Sequence, residues 1–260
     1  MKNKTEETIS FTLNGKKIEK IFPAGAYLCD TLKELGDKSV RIGCEEGACG
    51  ACTVEIDGLL TKSCLKLTNT CSESEITTIA GLESDPLTTK LKSSFTNCHA
   101  LQCGYCTAGM IMSARNVLKK HGDKVTVPSI KDGLVGNICR CTGYKNIIHA
   151  VMHAAGKVKS LVELENQETN IKGKIGEAVT RIEDGRLMSG RGKFTDNFFK
   201  NDDLFAYILR SDRAHATIDE IDTQEAKQQP DIELILTGRE AQNYWEPISP
   251  TMDLLDLKLP

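Results

Sequence analysis

Apolar and polar positions alternate along the start of the chain. Ile9-Ser10-Phe11-Thr12-Leu13 and Lys16-Lys17-Ile18-Glu19-Lys20-Ile21-Phe22 flank Asn14-Gly15, a pair that accepts the positive φ angles of a type I′ turn, so the pattern predicts a β-hairpin. Leu28, Leu32 and Leu35, with Gly36 after them, predict a short helix packed on that sheet, and Cys29 is expected in its core. Thr53-Val54-Glu55-Ile56 and Leu59-Leu60-Thr61 around Asp57-Gly58 predict a second hairpin, and Glu75 to Ile79 one more strand. From Pro86 the period lengthens to that of a helix. Thr107 is expected to cap a helix whose Met110, Ile111, Ala114, Val117 and Leu118 recur at helical spacing and stop at Gly122. Ser129 opens a shorter helix towards Leu134, and Ile147, Ile148, Val151, Met152 and Ala155 predict another before Gly156. Residues 157 to 175 are polar and charged and are expected to be a linker.

The cysteines change this picture from a fold to a chemistry. All 11 lie between Cys29 and Cys141, so the chain changes character near residue 160. Cys44, Cys49, Cys52 and Cys64 are spaced C-x4-C-x2-C-x11-C, the plant-type pattern for holding a [2Fe-2S] cluster with four thiolates. Gly43, Gly47 and Gly50 stand between those cysteines, where a loop must wrap a cluster and aim backbone N–H groups at its sulfides. A second set, Cys103-x2-Cys106 and Cys139-x-Cys141, sits ahead of two predicted helices. Positive helix N-termini favour thiolates there. Taken alone, this second spacing fits a four-cysteine zinc site as well as iron–sulfur; beside the first motif it points to a second [2Fe-2S] cluster. Cys29, Cys71 and Cys98 are then ordinary thiols. A small mixed sheet crossed by a helix, with a cysteine loop on its rim, resembles the β-grasp fold of plant-type ferredoxins.

Three longer segments carry a further resemblance. Gly43 to Val54, Gln102-Cys103-Gly104-Tyr105-Cys106-Thr107-Ala108-Gly109-Met110 and Gly136-Asn137-Ile138-Cys139-Arg140-Cys141-Thr142-Gly143-Tyr144 closely resemble the iron–sulfur part of the molybdenum hydroxylases, the family of xanthine dehydrogenase and aldehyde oxidoreductase. The resemblance covers about residues 8 to 157. It implies an α+β chain: a β-grasp ferredoxin-like domain over 1–82 and an all-α four-helix [2Fe-2S] domain over 83–157. It also implies an outer cluster on Cys44, Cys49, Cys52 and Cys64 that passes electrons towards flavin or an external acceptor. The inner cluster, on Cys103, Cys106, Cys139 and Cys141, lies beside the molybdopterin, with Gln102 and Cys139 approaching the pterin. Ala108 stands where the family usually has proline, a change that a helix start accepts readily.

After the linker at 158–175, the segments Ile175 to Arg181, Ser189 to Asn197 and Ile208 to Ile218 look like the opening of the family's molybdenum-binding subunit. Residues 176–260 would then be an incomplete α/β hammerhead domain, with Ile232 to Gly238 as a further strand and turn. No flavin-binding segment lies between the two parts, so FAD is expected on a separate subunit or not at all. The apolar run from Met252 to Leu259 has nothing downstream to pack on. On this resemblance the chain is a fragment or the product of a split gene, without the molybdenum pocket or its glutamate base. The large subunit, or the missing C-terminal region, is the expected partner.

Charge adds mainly exclusions. With 33 basic and 36 acidic residues, net −3, nothing favours nucleic acid or a membrane surface as partner. The lysine-rich start has no apolar run after it, and a cytoplasmic location is expected. His149 and His153 are expected to pack rather than bind metal, and Glu45 and Glu46 to be solvated; Arg140 could offset cluster charge. No G-x-G-x-x-G, P-loop or G-x-S-x-G occurs. Two other readings compete: a free-standing ferredoxin-like carrier, separable by what copurifies, and a zinc-stabilised interaction module, separable by its lack of colour.

Overall fold

The structure, a computed structural model, describes residues 6–169, 175–198 and 203–244. The chain divides into two units, Met1–Asn201 and Asp202–Pro260. The lysine-rich start at residues 1–5, Asn170 of the expected linker and the apolar tail from Met252 lie outside the described residues.

In the first unit both hairpins form where the alternation predicts them. β1 (Glu6–Leu13) pairs antiparallel with β2 (Lys16–Pro23), and Asn14 and Gly15 take φ angles of 51° and 79°, as a type I′ turn requires. Helix α1 (Leu28–Glu34) buries Leu28, Cys29 and Leu32. β3 (Thr53–Ile56) and β4 (Leu59–Lys62) form the second hairpin. β5 (Glu75–Thr77) runs parallel to β1 and antiparallel to β3, giving the order β2-β1-β5-β3-β4. It is shorter than the alternation suggests, because Ile79 starts a 3-10 turn. Phe11, Phe22, Val54 and Ile76 close one core with α1.

A second core is helical. α2 (Pro86–Asn97) starts with Pro86 in its first turn and is capped by Asp85, which accepts a 2.8 Å hydrogen bond from the Thr88 N–H. α3 (Thr107–His121), α4 (Val127–Leu134) and α5 (Lys145–Ala154) follow, and Phe95, Met110, Ile111, Ile130 and Val151 pack between them. Two helix starts differ from expectation. Thr107 is the first buried residue of α3 rather than its cap, a position held by Cys106 without a side-chain hydrogen bond. α4 begins earlier than Ser129: Thr126 is the cap, and Ser129 completes a reciprocal capping box with it.

The expected linker is partly a helix, α6 (Leu161–Thr169). Ser160 and Glu163 explain it. The Ser160 N–H donates to the Glu163 carboxylate at 2.8 Å and the Glu163 N–H to the Ser160 hydroxyl at 3.2 Å, which satisfies two amides that would otherwise be bare. Residues beyond 175 also belong to the first unit. In α7 (Asp184–Met188), Leu187 and Met188 join the helical core. Gly104, at φ 79°, has no side chain where Leu187 lies.

Sheet and helices are clasped together by Arg115 of α3. Its guanidinium donates to Asp85 at 3.1 and 3.2 Å and to Glu55 of β3 at 3.0 Å. In the second unit, α8 (Gln224–Lys227) and α9 (Gly238–Ala241) are short. The strand expected over Ile232 to Gly238 does not form among the described residues. Thr237 caps α9 instead, paired with Glu240, and no second strand offers Ile232 to Leu236 a ladder there. Among the described residues no helix is long and apolar enough to cross a membrane.

Candidate metal centres

The first cysteine set is assembled by the second hairpin. Cys52 leads into β3 and Cys64 follows β4, and the pairing of Thr53 with Lys62 brings their ends together. Ser63 ties them further, its N–H and hydroxyl donating to the Cys52 carbonyl at 3.3 and 2.8 Å. Cys52 and Cys64 are buried. Burial, then the neighbouring Cys52, pushes the Cys64 thiol up to about 11. The loop from Gly43 to Gly50 supplies the other two thiols. The Cys49 N–H donates to Cys44 Sγ at 3.3 Å; that amide first, and the Glu46 amide after it, pull the Cys44 thiol down to about 7. Amides aimed at sulfur stabilise the thiolate that a metal needs. Gly50, at φ 72°, is obligatory here, since a Cβ would run into the Gly136 carbonyl.

The second set lies at the N-termini of α3 and α5. Cys103 Sγ and Cys141 Sγ are 3.6 Å apart and exposed. Cys106 and Cys139 lie side by side and deeper, and burial followed by the neighbouring Cys139 pushes the Cys106 thiol up to about 12. At Cys139 burial raises the pKa, but the Thr142 hydroxyl, 3.2 Å from Sγ, and nearby amides outweigh it, so the thiol is lowered overall. Tyr144, left-handed at φ 67° just before α5, receives the Cys139 N–H at 2.8 Å and so orients that loop.

Each set therefore arranges its thiols two by two: Cys44 with Cys49, Cys52 with Cys64, Cys103 with Cys141, Cys106 with Cys139. A single zinc ion gathers four thiolates round one point. A cluster with two irons takes two thiolates on each iron, and paired thiols fit it.

The two sets meet through backbone. The Ile138 N–H, beside Cys139, donates to the Cys49 carbonyl at 2.8 Å. Asn137 donates to the Gly50 carbonyl at 3.1 Å, held by the Ser113 hydroxyl on its other side. Tyr105, between Cys103 and Cys106, donates from its hydroxyl to the Ile42 carbonyl at 2.7 Å. Gly109 of α3 packs so close to the Gly50 carbonyl that a Cβ there would overlap it.

Other residues singled out in the sequence lie within these loops, at their edge or away from them. His149 contacts the Lys159 carbonyl and His153 the Ser94 hydroxyl, each at 2.8 Å, so the two rings have separate partners. Cys29, Cys71 and Cys98 are buried in the cores, where burial pushes each thiol up. Glu45, Glu46 and Arg140 are exposed. Gln102 is exposed at the rim of the second set; its amide donates to the Cys141 carbonyl at 3.2 Å and its own carbonyl accepts from Arg181 at 2.7 Å. Sequence patterns gave no sign of Lys62, and the resemblance that includes Tyr105 and Asn137 gave them no role, because each acts across the two halves.

Comparison with known proteins agrees with this geometry. The family described as 2Fe-2S iron-sulfur cluster binding domain matches residues 11–75, and the [2Fe-2S] binding domain family matches residues 78–152. The xanthine dehydrogenase iron-sulfur-binding subunit of Escherichia coli O157:H7 is 39% identical over 146 residues, 56% of this chain and 92% of that protein. The aldehyde oxidoreductase of Megalodesulfovibrio gigas is 30% identical over 249 residues, 88% of this chain but 26% of that protein. The crystal structure of the aldehyde oxidoreductase from Desulfovibrio desulfuricans superimposes with a TM-score of 0.69 at 29% identity, over 86% of this chain and 26% of that one. The chain thus spans about a quarter of the aldehyde oxidoreductases and nearly all of the separate iron–sulfur subunit. It belongs to the iron–sulfur subunits and domains of the molybdenum hydroxylases of the xanthine dehydrogenase and aldehyde oxidoreductase type, and is the electron-transfer component of an oxidoreductase.

Proposed function

We propose that the chain is the two-cluster relay of a molybdenum hydroxylase, with Cys44, Cys49, Cys52 and Cys64 holding the outer [2Fe-2S] cluster and Cys103, Cys106, Cys139 and Cys141 the inner one. The observation that carries this is the 2.8 Å hydrogen bond from Ile138, beside Cys139, to the Cys49 carbonyl, which joins two paired-thiol sets by one short covalent and hydrogen-bonded route. Each cluster supplies one-electron storage. The chain's own residues hold it, keep Cys52 and Cys64 from water and aim amides at Cys44 and Cys139.

The exposed edge formed by Gln102, Cys103 and Cys141 is where a molybdopterin-bearing partner would dock, with Gln102 and Cys139 nearest the pterin. That partner, a large subunit or further polypeptide, supplies the hydroxylation of substrate; a flavin subunit or soluble acceptor takes electrons from the outer side. Under this reading residues 1–82 form a β-grasp domain, 83–157 a helical domain, 158–175 the connection and 176–260 the opening of a hammerhead domain, in a cytoplasmic enzyme whose reducing milieu keeps the thiols available.

Anaerobic purification from the native host, with iron, sulfide and molybdenum measured per chain and copurifying proteins weighed, tests this. Two irons and two sulfides per cysteine set, with a molybdopterin-bearing partner, are expected. Iron without molybdenum or partner would point to a free-standing carrier, and zinc in place of iron would overturn the assignment.

A further inference from the structure

Lys62 ends β4 and points into the seam between the two cysteine sets. Its ammonium donates to the Thr53 hydroxyl at 3.0 Å and to the Gly136 carbonyl at 2.7 Å. Thr53 follows Cys52 directly, and Gly136 begins the loop that carries Cys139 and Cys141. The same ammonium crowds the space beside Gly50, where a Cβ would lie 2.8 Å from Nζ. One cation thus touches the frame of both loops. An ordinary strand-end lysine turns to solvent; this one is held inward by two hydrogen bonds.

We propose that Lys62 is a positioning residue for electron transfer, a fixed positive charge that raises the reduction potential of the Cys44, Cys49, Cys52 and Cys64 cluster and so draws electrons outward from the helical set. A four-thiolate [2Fe-2S] cluster gains one negative charge when one electron is added, and a nearby cation stabilises that reduced form. In a medium of effective dielectric about 20, a unit charge held near a cluster changes its ratio of reduced to oxidised form at fixed potential by roughly tenfold or more. The groups that Lys62 itself touches, the Thr53 hydroxyl and the Gly136 carbonyl, are neutral dipoles, so Lys62 carries the formal charge of these contacts.

The inference rests on the proposed assignment of the two clusters. Its test is an electron-paramagnetic-resonance redox titration of the full chain, with its partners if they copurify, as wild type, Lys62→Gln, Lys62→Met and Lys62→Arg, with iron counted in each. Glutamine retains a donor for Gly136 without the charge. Both neutral variants are expected to lower the reduced fraction of the outer cluster about tenfold at fixed potential and to move the helical cluster less; arginine is expected to restore most of the wild-type ratio. Neutral variants with full iron and an unmoved outer cluster would overturn the proposal, as would an arginine variant shifted as far as glutamine. Failure of both neutral variants to assemble clusters would make Lys62 a structural tether and overturn it too. A wild-type chain that carries no iron–sulfur cluster would instead defeat the underlying assignment.

Discussion

Arg115→Met breaks the clasp between sheet and helices. The guanidinium side chain is 8% exposed, and its partners Glu55 and Asp85 are 14% and 24% exposed, so removal leaves Asp85 without a cationic partner and Glu55 with Lys119 alone, 3.6 Å away. Breaking a buried ion pair in this way costs about 3 to 5 kcal/mol. Partial access of water to Asp85 argues for the lower end, about 3 kcal/mol. Against a domain stability of about 5 to 15 kcal/mol that loss is large, and it falls on the ion pairs that join β3 to α3. Urea unfolding of the cluster-loaded protein, followed by far-ultraviolet circular dichroism and by visible cluster absorbance, measures it. Adding Asp85→Asn to Arg115→Met removes the charge left without a cation, keeps a cap for α2, and is expected to recover part of the stability. The acid limb provides a sign check. The hydrogen bonds from Arg115 hold the Asp85 carboxyl well below the usual carboxylate range, so its stabilisation is present above its unfolded pKa of about 3.9 and is lost as pH falls below that value. Arg115→Met should therefore lose less stability than wild type between about pH 5 and pH 2. A variant within about 1 kcal/mol of wild type at pH 7, or an unchanged acid limb, would refute the reasoning.

Further outcomes follow from single contacts. Gly50→Ala places a Cβ against the Gly136 carbonyl at a positive φ; it should cost about 2 kcal/mol or more and slow transfer between the clusters, seen by rapid-freeze spectroscopy. Cys139→Ser should halve the iron content and remove one cluster signal, whereas Cys98→Ser, in the core, should leave iron content unchanged. Leu187→Ala should destabilise the first unit by about 3 kcal/mol in a denaturant titration, because Leu187 is buried in the helical core; a change within experimental error would mean that α7 docks too weakly to matter.

The hairpins, the main helices and both cysteine sets were legible before any coordinates, because the signals are local. A period of two around Asn14-Gly15, a period near 3.6 after Thr107, and thiols at two- and four-residue spacings need only a few neighbours to be read. The helix α6 was legible too, had Ser160 and Glu163 been weighed as a capping box rather than as polar linker composition. The strand expected at Ile232 failed for the opposite reason: a strand exists only with a partner, and no partner pairs with it among the described residues.

The alternation, turn dipeptides and cysteine spacing by themselves determined that this chain makes a small sheet, a set of helices and two thiol sets suited to iron–sulfur clusters. Tertiary structure alone decided how the two sets face each other: Lys62 against Gly136, 74 residues away, and Asn137 against Gly50, 87 residues away. The Arg115 clasp across 60 residues to Glu55 belongs with them. Such contacts leave no periodic mark, since each joins surfaces formed separately and depends on close backbone approach at Gly50 and Gly109.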